Sequence, residues 1–279
     1  MKNMTDSLVI GNTSQLSYYF PEDYEKISSR NINFNNFEKK YYSRIFLCFG
    51  EQRTFIENIE KIFIDINVDY TLNVINFFKD HCDKIIIYST SELWNNCEGG
   101  IDLNTNFNYN YSPYIKSKEI LTRQILDNKN YKNVIILYTF NFNSIYRTYQ
   151  NINNNFSIRK EQKFLFNKIF ESIISKKQIQ IGDTYFYRDL IHPKYVVKRS
   201  ISTDKDEIVG SGRLTFVNDF IKDLYKHCDL DYTHYVIENY DYNLNLKRKI
   251  YYLNSKDIKY NDLLNDTLDD IKFIRYKIS

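Results

Sequence analysis

The chain has 279 residues, 43% hydrophobic and 17% aromatic, and its 38 Lys and Arg against 35 Asp and Glu leave a net charge of +3. That balance excludes the strongly basic surface expected of a nucleic-acid binder, and the length suits one moderate domain or two intimately joined ones. Seven glycines, where average usage gives roughly 20, exclude Gly-rich linkers, collagen and β-helix repeats and count against a phosphate loop built from several glycines.

Cys48, Cys82, Cys97 and Cys228 lack CxxC spacing, so they signal neither a zinc site nor a disulfide framework, and scattered thiols fit the cytoplasm. The opening MKNMTDSLVIG has too short an apolar run for a signal peptide, and no run of 18 apolar residues follows. The expectation is a cytoplasmic protein with neither membrane nor nucleic acid as partner.

In chain order, residues 7–10 form a short apolar strand ending at Gly11, and residues 45–49 (IFLCF) a second ending at Gly50. Residues 55–80 carry apolar side chains at helical spacing, residues 84–89 (KIIIYS) read as a buried strand, and residues 112–126 as a helix capped by Ser112 with Pro113 in its first turn. Residues 134–137 (VIIL) form the next strand. Continuous apolar strands alternating with amphipathic helices predict an α/β, Rossmann-like doubly wound parallel sheet. Past residue 140 the pattern loosens: an Asn-rich loop over 149–160, helices over 161–176 and 213–228, then a short strand and helix over 257–270. The expected division is a dinucleotide-binding domain over 1–140 and a smaller α/β substrate-binding region over 141–279, with 177–200 returning to the first.

Two places carry candidate chemistry. The turn Gly11-Asn12-Thr13-Ser14-Gln15-Leu16-Ser17 lies where a dinucleotide fold brings backbone to a pyrophosphate at a helix N-terminus. It keeps one glycine, with Ser14 and Ser17 at the spacing of further ones, and it serves equally as a β-to-α connection with no ligand. The second place pairs the strand end Ser89-Thr90-Ser91-Glu92-Leu93-Trp94 with Ser112-Pro113-Tyr114-Ile115-Lys116-Ser117-Lys118. Tyr114 and Lys118 share one helical face. A lysine beside a phenol lowers its proton affinity, so Tyr114 can serve as a base near neutrality while Thr90 orients the substrate oxygen.

STSELW and SPYIKSK resemble the STSELYG and SPYxxxK segments of the extended short-chain dehydrogenases, the NAD-dependent epimerase/dehydratase family, and among them most nearly those of GDP-mannose 4,6-dehydratases. Ordered echoes continue in GNTSQLSYY, in TFNFNSIYR (139–147), FLFNKI (164–169), GDTYFYRDLIHPKYV (182–196) and VGSGRLTFVNDF (209–220). The resemblance implies a nucleotide-sugar 4,6-dehydratase. Tyr114 would take the sugar 4-hydroxyl proton while hydride leaves C4. Lys118 would hold the nicotinamide ribose, Thr90 would bond the 4-oxygen, and Glu92 would work at C5 and C6. It implies cofactor contacts at Gly11, Thr13, Ser14, Gln15, Cys48 and Gly50, and nucleotide-sugar contacts at Asn141, Lys168 and Arg188. It also implies a GDP-sugar substrate, a pathway of capsule, lipopolysaccharide or glycan sugar synthesis, and a homodimer or higher homo-oligomer through helices near 58–80 and 112–127.

Some positions depart from the family pattern. Cys48-Phe49 stand for an Ala pair, Tyr138 for an expected Arg, and the 33 residues between Gly11 and Ile45 leave barely enough room for one helix and one strand, so the third strand is expected to be missing or shrunken. Ser28-Ser29-Arg30 suit a 2′-phosphate, which favours NADP, with NAD the other choice. Two alternatives stand beside the dehydratase: an epimerase or 4-keto reductase of the same fold, and an inactive relative acting as a binding partner.

Overall fold

The computed structural model describes residues 4–53, 59–142, 144–152, 155–159, 164–239, 249–254 and 258–278. The positions 55–58, 161–163 and 257 of three expected elements lie outside that set. Contacts divide the chain into two compact units: Met1–Asn96, Thr105–Thr139 and Val196–Val209 in the first, and Cys97–Asn104, Phe140–Tyr195 and Gly210–Ser279 in the second. The stretch that rejoins the first unit is thus Val196–Val209; of the expected 177–200, residues 177–195 lie in the second.

The elements run β1 (Met4–Ile10), β2 (Glu25–Ile27), β3 (Tyr41–Leu47), α1 (Ile59–Ile64), a π-turn (Asp65–Tyr70), α2 (Thr71–Phe78), β4 (Cys82–Thr90), β5 (Gly99–Ile101), α3 (Pro113–Leu126), β6 (Val134–Thr139), β7 (Asn141–Phe142), β8 (Tyr149–Ile152) and β9 (Asn155–Ile158). They continue with α4 (Leu165–Ser175), β10 (Ile179–Ile181), β11 (Tyr187–Ile191), α5 (Pro193–Ser202), β12 (Glu207–Val209), β13 (Leu214–Phe216), α6 (Val217–His227), α7 (Tyr232–Tyr235), β14 (Val236–Glu238), β15 (Tyr251–Leu253) and α8 (Tyr260–Ile278).

The first unit is a Rossmann-like α/β layer structure. Its six strands are all parallel in the order β12-β6-β4-β3-β1-β2. The strand order reverses direction between β1 and β3, the kind of switch point at whose C-terminal strand ends open α/β sheets bind ligands. β4 and β6 show why the sequence folds this way: Ile85, Ile86, Ile87 and Ile135, Ile136, Leu137 are buried as β-branched and leucine runs, as a sheet covered on both faces demands. Ser112 caps α3 by accepting the Ile115 amide at 3.2 Å, with Pro113 in the first turn.

The expected shrinkage before β3 is real. The segment from Gly11 to Tyr41 holds β2 and two 3₁₀ turns, Ser17–Tyr19 and Phe34–Phe37, and no α-helix. Its residues explain this: Asn12, Thr13, Ser14, Ser17 and Tyr18 are weak helix formers, and Pro21 forecloses continuation. Leu16 and Phe20 are buried in the helix's stead, the Phe20 ring lying 4.6 Å from that of Phe46.

The second unit packs α4, α6 and α8 around a core of Phe166, Ile169, Phe170, Phe220, Ile221, Leu224, Ile271 and Ile274. Small sheets surround it: β13-β11-β7, β10-β14, β15-β5 and the β8-β9 hairpin. That hairpin replaces the loop expected over 149–160. Tyr149 pairs with Ile158, and four register pairs close the ladder despite the Asn-rich composition. The 213–228 helix starts later, at Val217, because Leu214–Phe216 pairs antiparallel with β11. Of the tail expected over 257–270, the helix is present as α8, while the nearest strand is β15, upstream of that range, which pairs with β5. Asp189, fully buried, knits this unit together: it accepts from the Ser211 amide (2.7 Å) and hydroxyl (2.6 Å), the Gly212 amide (3.0 Å) and the Leu253 amide (3.1 Å). Gly210 is required beside it, since a Cβ there would stand 2.9 Å from Asp189 Oδ2 and 2.6 Å from Phe140. Among the described residues no helix is long and apolar enough to cross a membrane.

Candidate active site

β4 ends at Thr90 and turns at once into the 3₁₀ segment Ser91–Trp94. Thr90 is buried, and its Oγ1 accepts the Glu92 amide at 3.1 Å, which leaves the hydroxyl proton for another acceptor. Glu92 is half-buried, and its Oε2 accepts from Asn95 Nδ2 at 3.1 Å. Trp94 is buried against Phe107 and Tyr138 and donates Nε1–H to the Thr105 carbonyl, so it packs.

Tyr114 and Lys118 lie one turn apart on α3. Tyr114 is half-buried, with its ring edge-to-face against Phe63 at 5.7 Å. Lys118 is 6% exposed and donates Nζ–H to the Tyr88 carbonyl at 3.0 Å. No carboxylate pairs with it among the described residues, and burial lowers its ammonium to about 8. Nζ also lies 3.7 Å from where a Cβ on Gly50 would stand. An ammonium carries three donors; here one is used on a backbone carbonyl, and two remain for ligand hydroxyls beside the end of β3.

Three polar residues escaped the sequence reading. Asn67, buried in the π-turn, accepts the Glu51 amide at 2.7 Å and donates to the Glu51 carbonyl (3.0 Å) and to Ser117 Oγ (3.1 Å). Ser117 donates to the Tyr114 carbonyl at 2.7 Å, so the two side chains join the segment after β3 to the turn of α3 that bears Tyr114. The available signal was a polar residue one turn after Phe63 on an otherwise apolar helical face, where π-turns often accompany function. Asn95 is the third.

The Gly11 turn is closed by contacts of its own. Gly11 has φ +112, and a Cβ there would stand 2.6 Å from the Cys48 carbonyl, so this glycine serves the packing of β1 against β3. Five amides of the turn are engaged internally: Gly11 and Asn12 with the Ile27 carbonyl, Ser14 with Gly11, Leu16 with Ser14 Oγ, and Ser17 with Ser14. Ser17 Oγ bonds the Asn12 and Ser14 carbonyls at 2.8 and 2.7 Å. No helix N-terminus stands here, because the turn leads into a three-residue 3₁₀ segment. Gln15 Oε1 is buried without a donor, an acceptor suited to a hydroxyl and ill suited to a phosphate. Thr13 is exposed, and Cys48 is fully buried, where desolvation pushes its thiol up. Arg30 is exposed just beyond β2, its amide on Ser28 Oγ at 3.1 Å. Phe49 packs on Tyr70 at 5.4 Å, and the Tyr70 hydroxyl bonds the Ser29 carbonyl. The donors of Lys118 beside Gly50 suit the hydroxyls of a nicotinamide nucleoside, whereas the Gly11 turn offers a pyrophosphate backbone amides but no helix N-terminus.

The expected nucleotide-sugar residues all lie in the second unit. Asn141 (β7) and Arg188 (β11) sit on paired strands, Asn141 opposite Leu190. The Arg188 guanidinium lies 4.9 Å from the Phe186 ring and bonds the Tyr187 carbonyl at 3.0 Å. Lys168 on α4 reaches the Gln180 carbonyl at 3.0 Å.

No model of a protein family and no curated protein matches the chain. Its fold is nevertheless shared with solved structures, several of them complexed with a nucleotide sugar or a nicotinamide cofactor. MoeE5, solved with UDP-glucuronic acid and NAD, superposes with TM-score 0.72 at 13% identity over 96% of this chain and 99% of its own. The dTDP-glucose 4,6-dehydratase of Bacillus anthracis, solved with NAD, gives 0.69 at 15% identity over 96% and 97%. RMD from Pseudomonas aeruginosa, complexed with NADPH, gives 0.72 at 13% identity over 96% and 100%.

Proposed function

We propose that the chain is an extended short-chain dehydrogenase that modifies a nucleotide sugar by a 4,6-dehydratase reaction of the GDP-mannose type, with NADP as the favoured cofactor. What carries the reading is the buried Lys118, without a carboxylate partner among the described residues, one turn from Tyr114 on a helix that follows the Thr90–Glu92 strand end. A cation without a counter-charge in a protein interior is costly and is kept where it does chemistry.

A nicotinamide held beside Lys118 and Gly50 would supply a hydride acceptor for C4 and a hydride donor for C6. Lys118 holds its ribose hydroxyls and, as ammonium, stabilises the Tyr114 phenolate that removes the 4-hydroxyl proton. Thr90 donates its free proton to the 4-oxygen. The 4-ketone makes the C5 proton acidic, so Glu92 removes it and supplies a proton to the departing C6 hydroxyl; water leaves. Arg30, exposed just beyond β2, is the candidate for a 2′-phosphate. Asn141, Lys168 and Arg188 are the candidates for the nucleotide-sugar, a cation at its diphosphate being the electrostatic requirement.

A second reading, a net 4-keto reductase, draws support from the internally engaged Gly11 turn: a cofactor weakly held there would exchange each cycle. Incubation with NADP and a panel of GDP-, UDP-, dTDP- and CDP-sugars tests both. The dehydratase yields a 4-keto-6-deoxy sugar that Glu92→Gln abolishes; turnover that survives Glu92→Gln sinks the dehydratase and favours the reductase.

A further inference from the structure

Asn95 sits between the two halves of the candidate site. Its Nδ2 donates to Glu92 Oε2 at 3.1 Å, its Oδ1 accepts the Asn110 amide at 2.8 Å, and its own amide donates to the Glu92 carbonyl at 3.1 Å. The two outer partners fix which way the amide faces, because a carboxylate only accepts and a backbone N–H only donates. Asn110 lies two residues before Ser112, the cap of α3. One short side chain thus links the carboxylate at the end of β4 to the approach to the Tyr114 helix. It also divides the labour of Glu92, since Oε2 is held by an amide and Oε1 has no partner among the described residues.

We propose that Asn95 is a positioning residue: it fixes the Glu92 carboxylate through Oε2 so that Oε1 is the oxygen exchanging protons with the sugar. The proposal rests on the reading of Glu92 as the acid–base group. A carboxylate rotating freely about its last bonds is seldom in line with the proton it must take, and general acid–base catalysis, worth about 10²–10⁴ in rate, depends on that alignment.

Asn95→Asp separates the two contacts. It keeps an acceptor for the Asn110 amide and removes the donor to Glu92, placing a second carboxylate there. With the nucleotide sugar that the wild type turns over best in the panel, Asn95→Asp is expected to lower kcat about 10- to 100-fold while KM and the thermal midpoint stay near wild type. Solvent deuterium at C5 of the recovered sugar falls in parallel. Asn95→Ala, which loses both contacts, lowers the thermal midpoint as well. Wild-type kcat in Asn95→Asp, with turnover abolished by Glu92→Gln, overturns the positioning role and leaves the reading of Glu92 standing. A loss in Asn95→Asp that follows KM and thermal midpoint together overturns it too, as a structural effect. Undiminished turnover in Glu92→Gln, or none on any sugar, removes the reading and the proposal with it.

Discussion

Lys118 is the residue at which stability and chemistry oppose each other. Its ammonium falls from 10.5 to about 8 through burial, which corresponds to roughly 3 kcal/mol against the charged form. Because the folded value is the lower one, the penalty applies in full below about pH 8 and is relieved as pH rises from there to 10.5. Lys118→Met is therefore expected to raise stability at pH 7 by on the order of 1–3 kcal/mol and to abolish turnover; thermal unfolding beside a turnover assay checks both, and a destabilised variant contradicts the account. Glu119 behaves oppositely. Hydrogen bonds from Tyr109, Lys116 and Arg123 outweigh its desolvation and hold it at about 2. Its stabilisation is present above its unfolded value of 4.5 and is lost as pH falls toward 2. With Lys116 and Arg123 largely exposed, Glu119→Gln should cost about 1 kcal/mol at pH 7 and flatten the acid limb of the thermal midpoint against pH.

At the scale of elements, the α3 helix was legible because its signals are local: a serine cap, a proline in the first turn and apolar residues every third or fourth position. The turn after β1 was not. Serines at the expected glycine spacing looked like an eroded phosphate loop, whereas Ser17 closes the turn on itself and Pro21 leaves no helix to follow. Ser17→Gly, which makes the turn look more like a phosphate loop, is therefore expected to cost about 1 kcal/mol per lost hydrogen bond without tightening NADP binding in calorimetry. For the same reason the dinucleotide should separate from the protein on gel filtration; a stoichiometric nicotinamide surviving that step would show that the turn grips it. The β8-β9 hairpin was illegible for another reason: asparagine is depleted in strands, and pairing partners a few residues away overrode that preference. Helical spacing in α1, α2 and α3 was legible too, since Phe63, Val74, Ile75, Phe78, Ile115, Leu121 and Ile125 are all buried.

For the whole molecule, runs such as KIIIY and VIIL announced a parallel sheet, and the shortness of the Gly11–Ile45 segment announced the lost strand. What no window of sequence could announce is long-range satisfaction of buried polar groups. Asp189 gathers donors from Ser211, Gly212 and Leu253, 22 to 64 positions away. Asp189→Ala would strand those amides and is expected to cost more than about 3 kcal/mol, read as a fall in denaturant midpoint. The candidate site divides the same way: Thr90, Glu92, Tyr114 and Lys118 stood out by motif, whereas Asn67, Ser117 and Asn95 are visible only through what they hold.

In the proposed reaction Tyr114 and Lys118 drive oxidation at C4 of a nucleotide sugar. The direct measurement is mass spectrometry of GDP-, UDP-, dTDP- and CDP-sugars incubated with NADP and either the wild-type chain or Tyr114→Phe. The account predicts a 4-keto product from at least one sugar with the wild type and its loss in Tyr114→Phe; equal product from both proteins, or no product from any sugar, contradicts it.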